Sequence, residues 1–286
     1  MQTELDVRKE LVRVCRLLWE RGWVANHDGN VTMRLGGGRV LCTPTAFSKD
    51  QVTVESLLTV DLEGRKLGGR TRPFSELGLH LRVYQARPDV QVVIHAHPPT
   101  ATGFALAGAG LDIPALPEVV VSLGPGIPTV PYAFPGADAE VALLPFLPHH
   151  DAVLLARHGV LCWGSDAEQA YLRLELVEHV ARIELVAYQL GGVPALPREH
   201  LERLLRSRTK AGLGPAARSE GQPLPPAPRS AAVRLPGPPQ PRELEGGERA
   251  PVPRLDPTAL ARQGAPLGDA MEQIVEEEIT RALKQG

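Results

Sequence analysis

The sequence predicts a layered α/β (α+β) fold, with a central, mainly antiparallel sheet flanked by helices, then a Pro-rich linker and a C-terminal amphipathic helix. Short β-branched runs alternate with amphipathic stretches but show no clean βαβ period. Several of these runs lie close together in the chain, which suits antiparallel pairing. Composition also shifts sharply near residue 211: thirteen of the 28 prolines fall between 211 and 266. Such a stretch buries too little apolar surface to offset its ordering entropy. The predicted units are therefore 1–210, a globular domain; 211–266, a disordered linker; and 267–286, a helix.

Thr3 is placed to cap a first helix with Val7, Leu11, Val14, Cys15 and Leu18 on one face, ended by Gly22. Strands are expected at Asn30 to Leu35, Val40 to Thr43 and Leu57 to Leu62. Pro73 to Arg87 reads as a helix, stopped by Pro88. The apolar run from Val90 to Ile94, closed by His95-Ala96-His97 and Pro98-Pro99, reads as a buried strand. Thr100 to Gly108 reads as helical, Pro117 to Ser122 and Ile127 to Val130 as strands, and Asp138 to Leu147 as a helix. Ala152 to Arg157 is expected as a strand ending at His158. Asp166 to Leu190 and Pro197 to Leu205 complete the domain as helices. In the tail, Met271, Ile274, Val275, Ile279, Ala282 and Leu283 share one helical face.

Composition excludes several roles. The net charge of −2 implies no polyanion partner, and no basic stripe with interleaved aromatics points to nucleic acid. No apolar run reaches membrane-spanning length, and the polar N-terminus is no secretory signal. Three cysteines, Cys15, Cys42 and Cys162, are odd in number and far apart. They suggest a reducing, cytoplasmic setting and neither a disulfide framework nor a cysteine metal site.

Side chains alternate along a strand, so His95 and His97 point to one face. Two imidazoles on one stiff element are half of a zinc site, and His158 ends another apolar run. Three neutral imidazoles with an open fourth position make a catalytic centre rather than a structural one. Gly159 lets backbone approach closely beside His158, and an acid, Glu76, sits in a helix-start segment upstream. His80, one turn after Glu76, reads as a packed residue.

With these pieces in place the chain resembles the class II aldolase/adducin family, and within it the fuculose-phosphate aldolases, from about residue 5 to 205. The motifs that carry the resemblance are Gly29-Asn30-Val31-Thr32, Thr43-Pro44-Thr45, Ser75-Glu76, Arg87-Pro88-Asp89-Val90, His95-Ala96-His97, Pro131-Tyr132-Ala133 and Arg157-His158-Gly159. The resemblance implies a Zn2+ ion, or another divalent cation, on His95, His97 and His158. It implies Glu76 as the acid/base group at carbon, and Tyr132, reaching across a subunit interface, for the proton on the other fragment's oxygen. Gly29, Asn30, Thr45 and Ser75 match positions that hold a substrate phosphate. The expected reaction is cleavage of a ketose 1-phosphate to dihydroxyacetone phosphate and an aldehyde by a homotetramer with its sites between subunits. A pentulose-phosphate 4-epimerase, a methylthioribulose-phosphate dehydratase, a decarboxylase and a non-catalytic adducin-like protein are the alternatives.

Two departures stand out. Phe74 precedes Ser75 where the aldolases often carry a second serine, and Ala46 stands where a glycine is common. They leave open an unphosphorylated hydroxy-carbonyl substrate, with the Phe74 ring either in the pocket or in the core. The tail, 267–286, resembles the encapsulation peptides of bacterial microcompartment cargo. That resemblance implies a shell-protein partner and a location inside such a compartment; the other reading is a helix that packs back on its own domain.

Overall fold

The computed structural model describes residues 3–214. The expected helix at 267–286, and the linker beyond residue 214, lie outside these residues. Helix α1 (Glu4–Glu20) begins with a reciprocal cap. The Thr3 hydroxyl accepts from the Asp6 N–H, and the Asp6 carboxylate accepts from the Thr3 N–H. It buries Leu11, Val14, Cys15 and Leu18, four of the five positions of the apolar stripe.

Eight strands follow in one sheet: β1 (Asn30–Leu35), β2 (Arg39–Cys42), β3 (Leu58–Asp61), β4 (Lys66–Gly68), β5 (Val92–Ala96), β6 (Thr129–Val130), β7 (Ala152–Leu155) and β8 (Gly159–Gly164). Their order is β4-β3-β2-β1-β5-β8-β7-β6, and every neighbouring pair is antiparallel except β6 and β7. The remaining helices are α2 (Leu77–Ala86), α3 (Pro99–Ala107), α4 (Pro117–Ser122), α5 (Ala137–Leu143), α6 (Ala167–Gln189) and α7 (Arg198–Lys210).

Strand alternation sorts the side chains into two cores. Val31, Met33, Val92, Ile94, Val160 and Cys162 pack with residues of α1, α3 and α6 on one face. Val40, Cys42, Val93, Leu161 and Trp163 pack with Leu77, Leu81 and Tyr84 of α2 and Leu143 of α5 on the other. Each fully buried aliphatic side chain contributes about 1.5–3 kcal/mol. By the same alternation His95 faces the α2 side, where Asn30 stands directly opposite it in the β1–β5 register. All three cysteines are free and buried. No helix among the described residues is long and apolar enough to cross a membrane.

Several elements differ from expectation. Pro117–Ser122 is helix α4, not a strand. Proline fits its first turn, and helix α7 covers its buried Val119 and Val120. A six-residue valine run does not reveal its period until its cover is known. The helix expected from Pro73 begins only at Leu77, because Pro73 bridges to Pro44 and Glu76 takes the N-cap. The helix expected from Asp138 to Leu147 gives way to a 3-10 turn at Leu144–Phe146, where Pro145 lacks the donor the helix needs. The strand expected to end at His158 stops at Leu155. Residues 156–158 form a tight turn with Arg157 at φ 61°, and the unexpected β8 returns beside β7.

Asp151, fully buried just before β7, receives guanidinium groups from three directions. Arg87 reaches it at 2.9 Å, Arg173 of α6 at 3.1 Å and Arg208 of α7 at 2.6 Å. Arg208 also donates to the carbonyls of Val121 and Ser122, which joins α7 to the end of α4.

A second buried acid has a different character. Glu184 of α6 is 2% exposed, and its Oε2 has no hydrogen-bond partner among the described residues. Burial, with Asp112 nearby, pushes its carboxyl up to about 7. The folded chain therefore keeps a proton that the unfolded chain releases above the ordinary carboxylate range. This group's favourable contribution is complete at pH 4 and is lost as pH rises through about 7. Glu184→Gln is expected to raise stability by up to about 3 kcal/mol at pH 8 and by nearly nothing at pH 4, read from urea midpoints at the two pH values.

Candidate metal centre

His95 leaves the sheet at the penultimate residue of β5 and His97 one residue past the strand, where the His97 N–H donates to the Trp23 carbonyl at 2.8 Å. His158 comes from the turn between β7 and β8. The antiparallel pairing of β5 with β8 thus brings His95 and His97 to the turn that carries His158. The His95 and His97 rings lie 4.8 Å apart by centroid, His95 and His158 4.6 Å, and His97 and His158 5.0 Å. One nitrogen from each ring lies within 4.8 Å of those of the others.

The donor set fits a divalent cation. His95 Nδ1 lies 2.9 Å from the Val160 carbonyl, which only accepts, so the proton sits on Nδ1 and the Nε2 lone pair is free. His97 Nδ1 faces the Asp28 carboxylate at 3.4 Å, and its Nε2 comes within 3.0 Å of His95 Nε2. Two nitrogens this close, each oriented from behind by an oxygen, share one target. Burial pushes His95 down to about 4, so its imidazole is neutral at pH 7, as a ligand must be. Burial also lowers His97.

Glycine is required twice here. A Cβ on Gly159 would lie 2.5 Å from His97 Cδ2 and 2.7 Å from the Ala96 carbonyl oxygen. Gly29 has φ 71°, and its Cβ would meet Val24 Cγ1 at 2.5 Å.

Glu76 stands against this triad. Its Oε1 is 3.0 Å from His158 Nε2, its Oε2 is 3.5 Å from His95 Nε2, and Asn30 Nδ2 donates to Oε2 at 3.0 Å. Burial alone would raise the carboxyl. The His158 hydrogen bond, the His95 and His158 rings and the Asn30 amide outweigh it and hold the group well below the usual carboxylate range. The same hydrogen bond raises His158.

A cleft of about 370 Å3 opens on this cluster, and Gly29, Asn30, Thr45, Ser75, Glu76, His97 and His158 line it. All four expected phosphate-holding residues thus share one cavity. Phe74 also lines this cleft, but its ring is buried in the α2-side core, packed edge-on to His80 at 5.2 Å between centroids. His80 is itself fully buried, with Nδ1 2.8 Å from the Thr32 hydroxyl.

Tyr132 lies apart from the triad. It is 62% exposed and lines a second cleft of about 310 Å3, which meets the first at Ser75, Glu76 and His158. Three residues escaped sequence reading. Asp28, just before the Gly29 motif, backs His97, and Arg157, the flank of the His158 motif, lines the second cleft. Lys49 opens a 3-10 turn at Lys49–Gln51 and has no spacing signal, yet it is buried and its ammonium donates to the His27 carbonyl.

A model of the family described as Class II Aldolase and Adducin N-terminal domain matches residues 9–185. An L-fuculose phosphate aldolase of Methanococcus maripaludis is 32% identical over 181 residues, covering 63% of this chain and 97% of its own length. A 3-oxo-tetronate 4-phosphate decarboxylase of Haemophilus influenzae is 34% identical over 188 residues, covering 63% and 88%. Among solved structures, an L-fuculose 1-phosphate aldolase superposes with a TM-score of 0.68 at 26% identity, covering 73% of this chain and 98% of that one.

Proposed function

The chain belongs to the class II aldolase and adducin family and is one of its enzymes, and from that premise we propose that it is a zinc-dependent aldolase cleaving a ketose 1-phosphate to dihydroxyacetone phosphate and an aldehyde. One observation carries this reading above the others. Three imidazoles and the Glu76 carboxylate converge at the floor of a cleft whose walls hold Gly29, Asn30, Thr45 and Ser75.

Each residue has a task in that reading. His95, His97 and His158 hold the cation, which when bound supplies positive charge to the substrate oxygens. Cleavage breaks the bond between carbons 3 and 4. The electron pair stays with the three-carbon fragment, and the hydroxyl on carbon 4 gives up its proton as it becomes the aldehyde. Glu76, ionised at rest, takes up a solvent proton and delivers it to carbon 3, replacing the one the carbon 4 hydroxyl releases, and Asn30 orients its carboxyl group for this. Tyr132 handles the proton on the aldehyde oxygen. Ser75, Thr45, Asn30 and the Gly29 turn receive the phosphate.

Tyr132 does this work in the cleft of a neighbouring copy, within a homotetramer. The exposure of Tyr132, Phe134, Val141 and Leu144 on one stretch of chain supports such an interface. Residues 267–286 act as an encapsulation signal toward a shell protein, a reading that rests on their sequence pattern.

The decarboxylase relative supports a second reading, loss of CO2 from a sugar-acid phosphate at the same centre. Product analysis separates the two. The zinc-loaded protein is expected to release dihydroxyacetone phosphate from fuculose 1-phosphate, with about one metal ion per chain. His95→Ala is expected to lose most of the metal and the activity together, by plasma emission and coupled assay. Release of CO2 from an acid substrate, with inert fuculose 1-phosphate, would overturn the aldolase reading.

A further inference from the structure

The first cleft presents an electrostatic difficulty for a phosphate. None of the residues lining it is Lys or Arg, and two of them, Asp28 and Glu76, are acids. A buried cation stands directly behind its wall. Lys49 is 2% exposed, and its ammonium donates to the Phe47 carbonyl at 2.7 Å and the His27 carbonyl at 3.2 Å. Among the described residues no carboxylate lies within ion-pair distance of it.

These two carbonyls belong to two loops that both line the cleft. One carries His27, Asp28 and Gly29; the other carries Thr45 and Ala46, with Ala46 in the left-handed region at φ 59°. Lys49 does not line the cleft, and it takes up one carbonyl from each of these loops. An anion needs N–H and hydroxyl groups in front of it and no carbonyl oxygens. A buried ammonium without a direct ion pair is costly to desolvate, and burial lowers its proton affinity, with the Asp28 carboxylate at longer range offsetting part of this. An anion on the far side of one peptide layer would offset that cost through a medium of low dielectric.

We propose that Lys49 is the positioning residue of the anion subsite: it clasps the two cleft loops from behind and supplies the positive charge felt by the substrate's phosphate group. This inference rests on the reading of the cleft as a sugar-phosphate site.

The test uses the zinc-loaded, full-length protein and inorganic phosphate as probe, followed by calorimetry. Lys49→Met is expected to weaken phosphate binding roughly tenfold or more, with zinc stoichiometry retained. Lys49→Arg, which keeps the charge, is expected to restore most of the affinity. Lys49→Gln, which keeps a donor for the carbonyls without the charge, replaces the methionine variant should that one not fold. Equal phosphate affinity in wild type and Lys49→Met overturns the inference and leaves the aldolase proposal standing. Equal weakening in the arginine and methionine variants also overturns it, since packing rather than charge would then be responsible. A wild type that binds no phosphate removes both the subsite and the phosphorylated substrate.

Discussion

Glu76→Gln is expected to lower kcat by about 10²–10⁴-fold, the range for loss of a positioned proton-transfer group. Glutamine keeps the shape and still accepts from Asn30 Nδ2, so the wall of the cleft survives. It does not exchange a proton with carbon. Zinc content is expected to hold near one per chain, because the three imidazoles bind without Glu76, and KM is expected to change little. Steady-state kinetics with parallel metal analysis check this. A loss below tenfold would falsify the assignment of the carbon acid to Glu76 and move attention to the second cleft, where Tyr132 and Arg157 stand.

The largest expected loss of stability lies far from the chemistry. Asp151→Asn should destabilise the fold by about 3–5 kcal/mol, the range for removing one partner from a buried ionic cluster. Three guanidinium groups, from Arg87, Arg173 and Arg208, converge on this carboxylate, and all four side chains are buried. Asparagine fills the same space but takes away the carboxylate that the three cations share, while Arg87 keeps its pair with Asp89. Urea unfolding of the wild type and variant at pH 7 measures the difference. Replacing Arg173 at the same time should recover part of the loss, since it removes one cation from the cluster. The family match ends at residue 185, so α7 and its Arg208 lie beyond it.

Much of the architecture was legible because its signals are local. The Thr3 cap, the α1 stripe, the β1 strand and the long α6 helix depend on neighbours within a few residues. The three histidines and Glu76 were legible as residue types in spaced motifs, and the structure brings them into one cluster. The misread elements share another trait. Pro117–Ser122 and Gly159–Gly164 are short and apolar, so their periods are ambiguous until a partner covers them. The start of α2 moved because Pro73 is taken up by a bridge to Pro44, a partner 29 residues away.

What the sequence alone determined is the set of candidate donors, the layered antiparallel class and the family, since each follows from side-chain chemistry and short-range pattern. Tertiary structure decided the rest. It joined β5 to β8 so that His95 meets His158, turned Phe74 into the α2 core, and enclosed Asp151 among three arginines. It also hid Lys49 behind a cleft wall. These outcomes depend on register and burial between segments distant in the chain. Burial changes the energy of a charge or a ring far more than its neighbours in sequence do.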